Sequence, residues 1–348
     1  MKRVLLGMSG GVDSSVSALL LKEMGYEVIG ITLELFAGSC CNIETNTDAK
    51  NVCKTIGIPH ITYNLKEQFK CRVIDNFIDE YSKQRTPNPC IECNRYMKFG
   101  LMYEKAKELN CDYIATGHYA KMEYSEKYGR YVLKKSKNIA KDQSYVLYNL
   151  PKELLGKVVF PLGDFNSKEE IREIARKNNL KVANKPDSED ICFVPDGDYA
   201  GYLENEAGLK AVPGDFVDIH GNAIGRHKGI IHYTIGQRKG LGLAMGHPVF
   251  VVDIIPETNQ VVIGENGDVF SERLICNRLN FMSIEDLTEP MHVKAKIRYN
   301  HKGSMCTIRK IDEDLVEAVF DEPVRAVTKG QAVVFYEDDH VLGGGSIC

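Results

Sequence analysis

A chain of 348 residues that is 43% hydrophobic and 26% charged lies in the globular range, which excludes a disordered, collagenous or coiled-coil protein and leaves room for two or three domains of roughly 100–200 residues. A formal net charge of −4 excludes a polycation that coats nucleic acid, so any RNA contact must be local. No apolar run approaches the roughly 20 residues of a membrane helix and the N-terminus lacks a secretory cleavage pattern, so a cytoplasmic protein without membrane association is expected.

The first third alternates short apolar runs with amphipathic stretches. Arg3–Gly7, Glu27–Leu35, His60–Leu65 and Asp112–Thr116 read as strands; Asp13–Met24, Thr47–Ile56, Lys66–Lys83 and Asn94–Leu109 read as helices. Such a series predicts an α/β unit with a parallel sheet and helices on both faces. A hairpin is expected between Tyr119 and Lys135 around Gly129, followed by helices at Asp142–Leu155 and Lys168–Asn178, and the unit ends near residue 205. After Pro213–Gly214 glycine becomes frequent and helical periodicity fades. Runs at Pro248–Ile255, Gln260–Ile263, Val293–Tyr299, Cys306–Ile311, Leu315–Phe320 and Ala332–Tyr336 predict a small Gly-rich module and then a barrel.

Ser9-Gly10-Gly11-Val12-Asp13-Ser14-Ser15 lies between the first strand and the first helix. Two glycines let backbone approach a polyphosphate, three hydroxyls add donors, and the helix offers free N–H groups. The segment lacks the Gly-Lys-Ser/Thr ending of a Walker loop. Asp13 either helps to hold Mg²⁺ or caps its helix.

Eleven cysteines in a reducing compartment are expected mostly as thiols, with a few reactive or metal-bound. Cys93 closes a Pro-Asn-Pro-Cys-x-x-Cys loop ahead of the Asn94 helix, where the helix dipole would stabilise a thiolate. Cys192 follows the acidic stretch Asp187-Ser188-Glu189-Asp190, which by itself argues for an inert thiol. Cys53, Cys71, Cys111, Cys276 and Cys306 are expected in the core. Two tracts, Ile219–Val252 and Met291–Ile311, contain no acid; the first holds Arg226, Lys228, Arg238 and Lys239, the second Lys294, Lys296, Arg298, Lys302, Arg309 and Lys310. Two such tracts in a net-negative chain favour contact with a phosphate backbone over an ordinary solvated face.

The glycine–serine segment is similar to the SGGxDS motif of PP-loop ATP pyrophosphatases. With it, Thr86-Pro87-Asn88-Pro89-Cys90-Ile91-Glu92-Cys93-Asn94, Thr116-Gly117-His118-Tyr119-Ala120, Lys141-Asp142-Gln143-Ser144-Tyr145, Asp187–Phe193 and Tyr233–Gly242 stand in the order found in the tRNA-specific 2-thiouridylases. The chain resembles that family over nearly its whole length. The resemblance implies a Rossmann-like PP-loop catalytic domain at 1–205, a small central tRNA-contacting domain at 206–272 and a tRNA-contacting β-barrel at 273–348. It implies ATP and Mg²⁺ on Gly7, Met8, Ser9, Gly10, Gly11, Val12, Asp13 and Ser14, with Leu33 and Gly117. It further implies the target base at Asn88, Pro89 and Cys90, and tRNA contacts from His118, Lys141, Asp142, Gln143, Arg298, Tyr299 and Gln331. Cys192 matches the persulfide carrier and Cys93 its partner nucleophile, the two forming a disulfide in each cycle. A cysteine desulfurase or relay protein is implied as sulfur donor, and a monomer is expected.

Cys90 departs from the Asp that the family commonly has there. With Cys93 and Cys192 it would offer three thiolates to an iron–sulfur cluster, or, with Cys40 or Cys41, a zinc site. Two other readings compete: a PP-loop ligase acting on a small metabolite, and a non-catalytic RNA-binding or metal-sensing protein that keeps the fold.

Overall fold

The structure, a computed structural model, describes residues 1–36, 43–186, 191–194 and 196–348, with 43–45 described as backbone only. The expected Cys40 and Cys41 ligands, most of the 37–46 loop and the acidic stretch 187–190 lie outside the described residues.

Strands β1 (Arg3–Gly7), β2 (Glu27–Glu34), β3 (His60–Asn64), β4 (Tyr113–Ala115) and β7 (Val158–Val159) form one parallel sheet in the order β3-β2-β1-β4-β7. β1 is buried along its centre, as its Val-Leu-Leu run requires of a strand covered on both faces. The order reverses between β1 and β4, and a crevice opens beyond the carboxyl ends of the strands at such a reversal. Both the Ser9–Ser14 loop and the Thr116–His118 turn emerge there.

The helices are α1 (Val12–Glu23), α2 (Ile43–Ile56), α3 (Lys66–Phe69), α4 (Asp75–Ser82), α5 (Pro89–Glu92), α6 (Met102–Glu108), α7 (Ser144–Leu147), α8 (Lys168–Lys177) and α9 (Tyr199–Asn205). A π-helical stretch at Lys70–Ile74 joins α3 to α4, and another at Cys93–Leu101 joins α5 to α6. Of the helix expected over Asp142–Leu155, α7 and two 3₁₀ turns at 139–141 and 152–157 are formed. Pro151 begins a new turn between them and cannot donate to the last carbonyls of α7.

The β-rich half contains two sheets. β8 (Gly214–Val217), β9 (Ala223–His227), β10 (Phe250–Ile255) and β11 (Gln260–Gly264) form the first, around Phe216, Val251 and Val261. The second is a closed six-stranded barrel. It runs β12 (Phe270–Phe281), β15 (Leu315–Arg325), β14 (Ser304–Asp312), β13 (Met291–Lys296), β16 (Ala332–Glu337) and β17 (His340–Ile347), with β17 pairing back to β12. The hairpin β5 (Ala120–Ser125) and β6 (Arg130–Lys135) extends this sheet through His340 opposite Lys134.

Strand β16 explains how the barrel is attached. Its sequence Ala-Val-Val-Phe-Tyr shows no polar alternation because both faces are covered. Val333 and Phe335 fill the barrel, whereas Ala332, Val334 and Tyr336 join Leu5, Ile91, Phe99, Tyr145 and Tyr148 of the first domain in one core. Tyr145 donates to Ala332 O at 2.8 Å, and Asn280 Nδ2 donates to Tyr148 O at 2.9 Å and Leu150 O at 3.1 Å. The barrel is therefore part of the wall of the first domain.

At Gly344 a Cβ would stand 2.3 Å from Val333 O and 2.8 Å from the Tyr148 ring. Gly344→Ala is expected to lower unfolding free energy by about 2–3 kcal/mol, because backbone on one side cannot yield. Gly267→Ala, with open space around it, is expected to stay within about 0.5 kcal/mol. Urea denaturation of the two variants measures both.

Candidate active site

The phosphate loop is built by local constraints. β1 ends at Gly7, Gly10 takes a left-handed φ of 69°, and Gly11 caps α1 with no side-chain bond to the first turn. The first N–H groups of the helix therefore keep no cap of the usual Ser or Asp type, which is what an anion at this end requires. The hydroxyls are turned inward to shape the loop: Ser14 Oγ accepts from Ser9 N at 3.2 Å and donates to Gly11 O at 3.2 Å, and Ser15 Oγ donates to Gly11 O at 2.8 Å. Gly117 packs on the same turn, since a Cβ there would lie 3.0 Å from Asp13 C and Ser14 N. The predicted nucleotide residues Gly7–Ser14 and Gly117 are thus brought together; Leu33, half-buried, lies near the carboxyl end of neighbouring β2.

Asp13 does not cap its helix. Its carboxylate accepts from Tyr119 OH at 2.8 Å on one oxygen and from Lys168 Nζ at 2.5 Å on the other. Lys185 Nζ lies 2.8 Å from Asp48 Oδ2 and 3.5 Å from Gly10 O. Neither lysine was legible as part of the site, because each stands more than 150 residues from the loop it approaches.

The cysteine motif corrects another expectation. The helix begins at Pro89, with Asn88 as its cap accepting from Cys90 N at 3.1 Å and proline at the first position. Cys90 therefore occupies the first turn, while Cys93 is buried a turn further in, where the π-helical stretch starts. Cys90 is accessible, yet protein atoms crowd around it; that crowding raises its pKa against the pull of Lys98. Cys93 and half-buried Cys192 belong to one apolar cluster with Phe69, Phe77 and Phe193. Cys71 is exposed, against the expectation of a core position.

Among the described residues no three His, Cys, Asp or Glu side chains are arranged to hold a metal ion. Cys90, Cys93 and Cys192, expected as one possible cluster ligand set, form no such group.

The loop that carries Cys90 is fixed from both sides. Glu80, buried on α4, faces Arg278 of the barrel at 3.3 Å and Arg85 at 3.8 Å. Thr86 N donates to Lys329 O and Gln331 Nε2 to Thr86 O, each at 2.8 Å. Gly330, at φ 87°, is the turn between them; a Cβ there would lie 2.7 Å from Arg85 Cβ and 2.9 Å from Thr86 N. Gln331, expected to face tRNA, holds the catalytic loop through its side chain.

Other expected RNA contacts divide in the same way. His118 is buried and kept neutral, its pKa far below the ordinary value through burial and the nearby Lys98. Its Nδ1 lies 2.7 Å from Thr116 Oγ1 and its Nε2 3.5 Å from Lys98 Nζ. Asp142 points inward and accepts from Ser136 N at 3.0 Å and Ser144 Oγ at 2.8 Å. Gln143 Oε1 accepts from Tyr119 N at 2.9 Å. Lys141 and Tyr299 remain exposed, and Arg298 donates to Arg325 O at 2.8 Å.

Part of each basic tract is neutralised within the protein: Arg226 pairs with Asp215, Arg309 with Glu317 and Lys310 with Asp286. Lys135, Lys294, Lys296 and Arg298 have no ion-paired carboxylate among the described residues. Lys135 lies 4.2 Å from the centre of the Tyr336 ring, and Lys296 lies 5.6 Å from Tyr145 and 5.8 Å from Tyr299. Burial lowers the pKa of Lys135, Lys296 and Arg298, and the lysines' mutual repulsion adds to it at Lys135. Tyr299, whose ring Lys296 faces, has its pKa raised by burial and by the charges of Asp142 and Cys90.

A parallel sheet with an uncapped glycine–serine loop at its reversal point, beside a helix that presents thiols, defines a PP-loop nucleotide-binding protein. Residues 2–196 match the model of the tRNA methyl transferase HUP domain, 201–265 that of the tRNA methyl transferase PRC-barrel domain and 271–347 that of the aminomethyltransferase beta-barrel domain. The tRNA-specific 2-thiouridylase MnmA of Lachnoclostridium phytofermentans is 54% identical, the alignment covering 100% of this chain and 99% of the relative. Its namesake from Clostridioides difficile is 52% identical over 99% and 98%, and that from Carboxydothermus hydrogenoformans 50% over 99% and 97%. The chain belongs to the tRNA-specific 2-thiouridylase family. NMN synthetase from Francisella tularensis covers 59% of this chain and 72% of its own at 18% identity, with a TM-score of 0.35 that carries no argument.

The histidines set a pH dependence. His60, His118, His227, His232 and His301 all have pKa values lowered chiefly by burial; His301, beside Arg298 and Lys296, falls to about 4. As pH falls below 6.5 the unfolded chain takes up protons that the folded chain refuses. The stability these groups contribute is complete above 6.5 and is lost toward the folded pKa values. Urea midpoints should therefore fall from pH 7.5 to 5.5, and His301→Gln should flatten that decline.

Proposed function

We propose that this protein catalyses ATP-dependent 2-thiolation of the wobble uridine of tRNA for Lys, Glu or Gln, releasing AMP and pyrophosphate. The observation that carries the reading is the cluster Lys135, Lys294, Lys296 and Arg298 around Tyr145, Tyr299 and Tyr336. Four cations, Lys135 and Lys296 among them held against tyrosine faces, and none ion-paired with a carboxylate among the described residues, suit a polyanion better than a small metabolite. Membership of the 2-thiouridylase family supports the same substrate.

In this reading ATP, carried with Mg²⁺, lies on Gly7–Ser14 with Leu33 and Gly117. The uridine leaves the anticodon stack to reach Asn88, Pro89 and Cys90. Its C2 oxygen attacks the α-phosphorus, the N3 proton is lost to water and pyrophosphate departs. Persulfide sulfur carried on Cys192 then reaches C2, directly or as hydrosulfide released by Cys93, and AMP leaves. The resulting Cys93–Cys192 disulfide is reduced by an external thiol before the next round. A cysteine desulfurase or relay protein supplies the persulfide. The units are 1–205, 206–272 and 273–348, acting as a monomer in the cytoplasm; among the described residues no helix is long and apolar enough to cross a membrane.

Nucleoside mass spectrometry of unmodified tRNA incubated anaerobically with protein, Mg-ATP and a sulfide or desulfurase donor tests the assignment. Wild type and Cys90→Ser are expected to form 2-thiouridine, and Cys192→Ser to lose it. Loss in both would favour three-cysteine chemistry, and none from wild type under any donor would remove the tRNA assignment. A second expectation concerns charge: Lys296→Gln should reduce the slope of log affinity for tRNA against log salt by about one. An unchanged slope would place the RNA elsewhere.

A further inference from the structure

We propose that Thr32 and His60 are positioning residues of the nucleotide site, holding the Met8–Ser9 peptide so that its carbonyl stays out of the phosphate cradle. This rests on the ATP-dependent reading above.

Thr32, buried on β2, donates from Oγ1 to Met8 O at 2.9 Å. A hydroxyl has one hydrogen, and here a carbonyl that can only accept takes it. The 2.9 Å contact between Thr32 Oγ1 and His60 Nε2 is therefore an N–H donated by the imidazole. His60 is the first residue of β3 and stands opposite Gly30 in the sheet. Its bond fixes the direction of the Thr32 hydroxyl and its own tautomer together.

Met8 is held to β2 in two further ways. Its N–H donates to Ile31 O at 2.7 Å. Its side chain packs over Gly30, where a Cβ would stand 3.0 Å from Met8 Cγ. The carbonyl and the N–H of a trans peptide point to opposite sides of one plane. Anchoring Met8 O on β2 thus directs Ser9 N into the loop, where it donates to Ser14 Oγ at 3.2 Å.

Glycines at 10 and 11 follow, Gly10 at φ 69°, and backbone of this kind resists rotation of the preceding plane only weakly. A flip would turn the Met8 carbonyl toward Ser14 in the first turn of α1 and set an oxygen against the phosphates. Valine would fill the Thr32 position with the same shape in a strand that already holds Val28, Ile29 and Ile31. What threonine adds is the bond to this one backbone oxygen. Neither Thr32 nor His60 needs to touch the nucleotide.

The test separates the anion from the base. Titration calorimetry measures α,β-methylene-ATP with Mg²⁺, and adenosine by competition against it. The proteins are wild type, Thr32→Val, Thr32→Ser, His60→Phe, the double variant Thr32→Val/His60→Phe, and Cys53→Ala, which alters a buried neighbour of Gly30. Thr32→Val is expected to weaken the triphosphate about tenfold while adenosine stays within about twofold. Thr32→Ser should recover wild-type affinity, and His60→Phe should weaken the triphosphate about threefold. The double variant should lose no more than Thr32→Val alone, because both side chains act through one bond. Cys53→Ala should lower the melting temperature and spare both affinities. Should Thr32→Val fail to fold, His60→Phe carries the same comparison of ligands. Equal weakening of both ligands, or a like effect from Cys53→Ala, would reduce the pair to a structural element of the sheet. Unchanged triphosphate affinity would mean that the peptide is fixed without them, and additive losses would separate His60 from Thr32. Each of these results overturns the inference while the function stands. Failure of wild type to bind the triphosphate would instead overturn the ATP-dependent reading, and the inference with it.

Discussion

The hydrogen bonds that the Thr86 backbone makes with Lys329 O and the Gln331 side chain are the constraint on which the site depends. The loop before Cys90 contains two prolines and cannot build a regular hydrogen-bonded element of its own. It is therefore held by borrowed partners, α4 through Glu80 and Arg85 on one side and the barrel on the other. Gly330 makes the close approach geometrically available. With that contact made, Asn88 caps the helix and Pro89 starts it. Cys90 is then exposed while Cys93 is buried in one cluster with Phe193 and Cys192.

The same attachment explains the electrostatics. Lys294, Lys296 and Arg298 belong to the barrel half and Lys135 to the hairpin that extends it; Lys135 faces Tyr336 of β16, and Lys296 faces Tyr145 of the first domain and Tyr299. Burial desolvates Lys135, Lys296 and Arg298, and Asp142 favours the two lysines without forming an ion pair with them, so holding this charge costs stability in the unliganded protein. In the proposed function a phosphate backbone bound there offsets that cost. The nucleotide loop is arranged on the opposite principle, with its one carboxylate already paired to Lys168.

Much of this was legible from local pattern. The β1–loop–α1 unit was readable because glycine position, strand length and helical spacing agree within twenty residues. The Cys90–Cys93 helix was misread at its start, although Asn88 followed by Pro89 is a cap and first-turn signal. Strand β12 was missed because its exposed and buried residues do not alternate regularly, and β17 because Gly343–Gly345 carry no side-chain pattern. The glycines are there for the crowding that other strands impose, a tertiary cause. His118, Asp142 and Gln331 stand in the expected region, but their side chains are spent on Thr116, Ser144 and Thr86. No sequence spacing could reveal Lys168 against Asp13 either, since the pairing exists only once α8 packs on α1.

Hydrogen–deuterium exchange of the unliganded protein, resolved at residues 84–93, tests the central claim most directly. If the barrel holds the catalytic loop, the Thr86 amide exchanges as slowly as amides within β16, and Gln331→Ala speeds it without altering exchange in β1 or α1. Exchange of Thr86 at the rate of an open loop, unchanged in Gln331→Ala, would contradict the account.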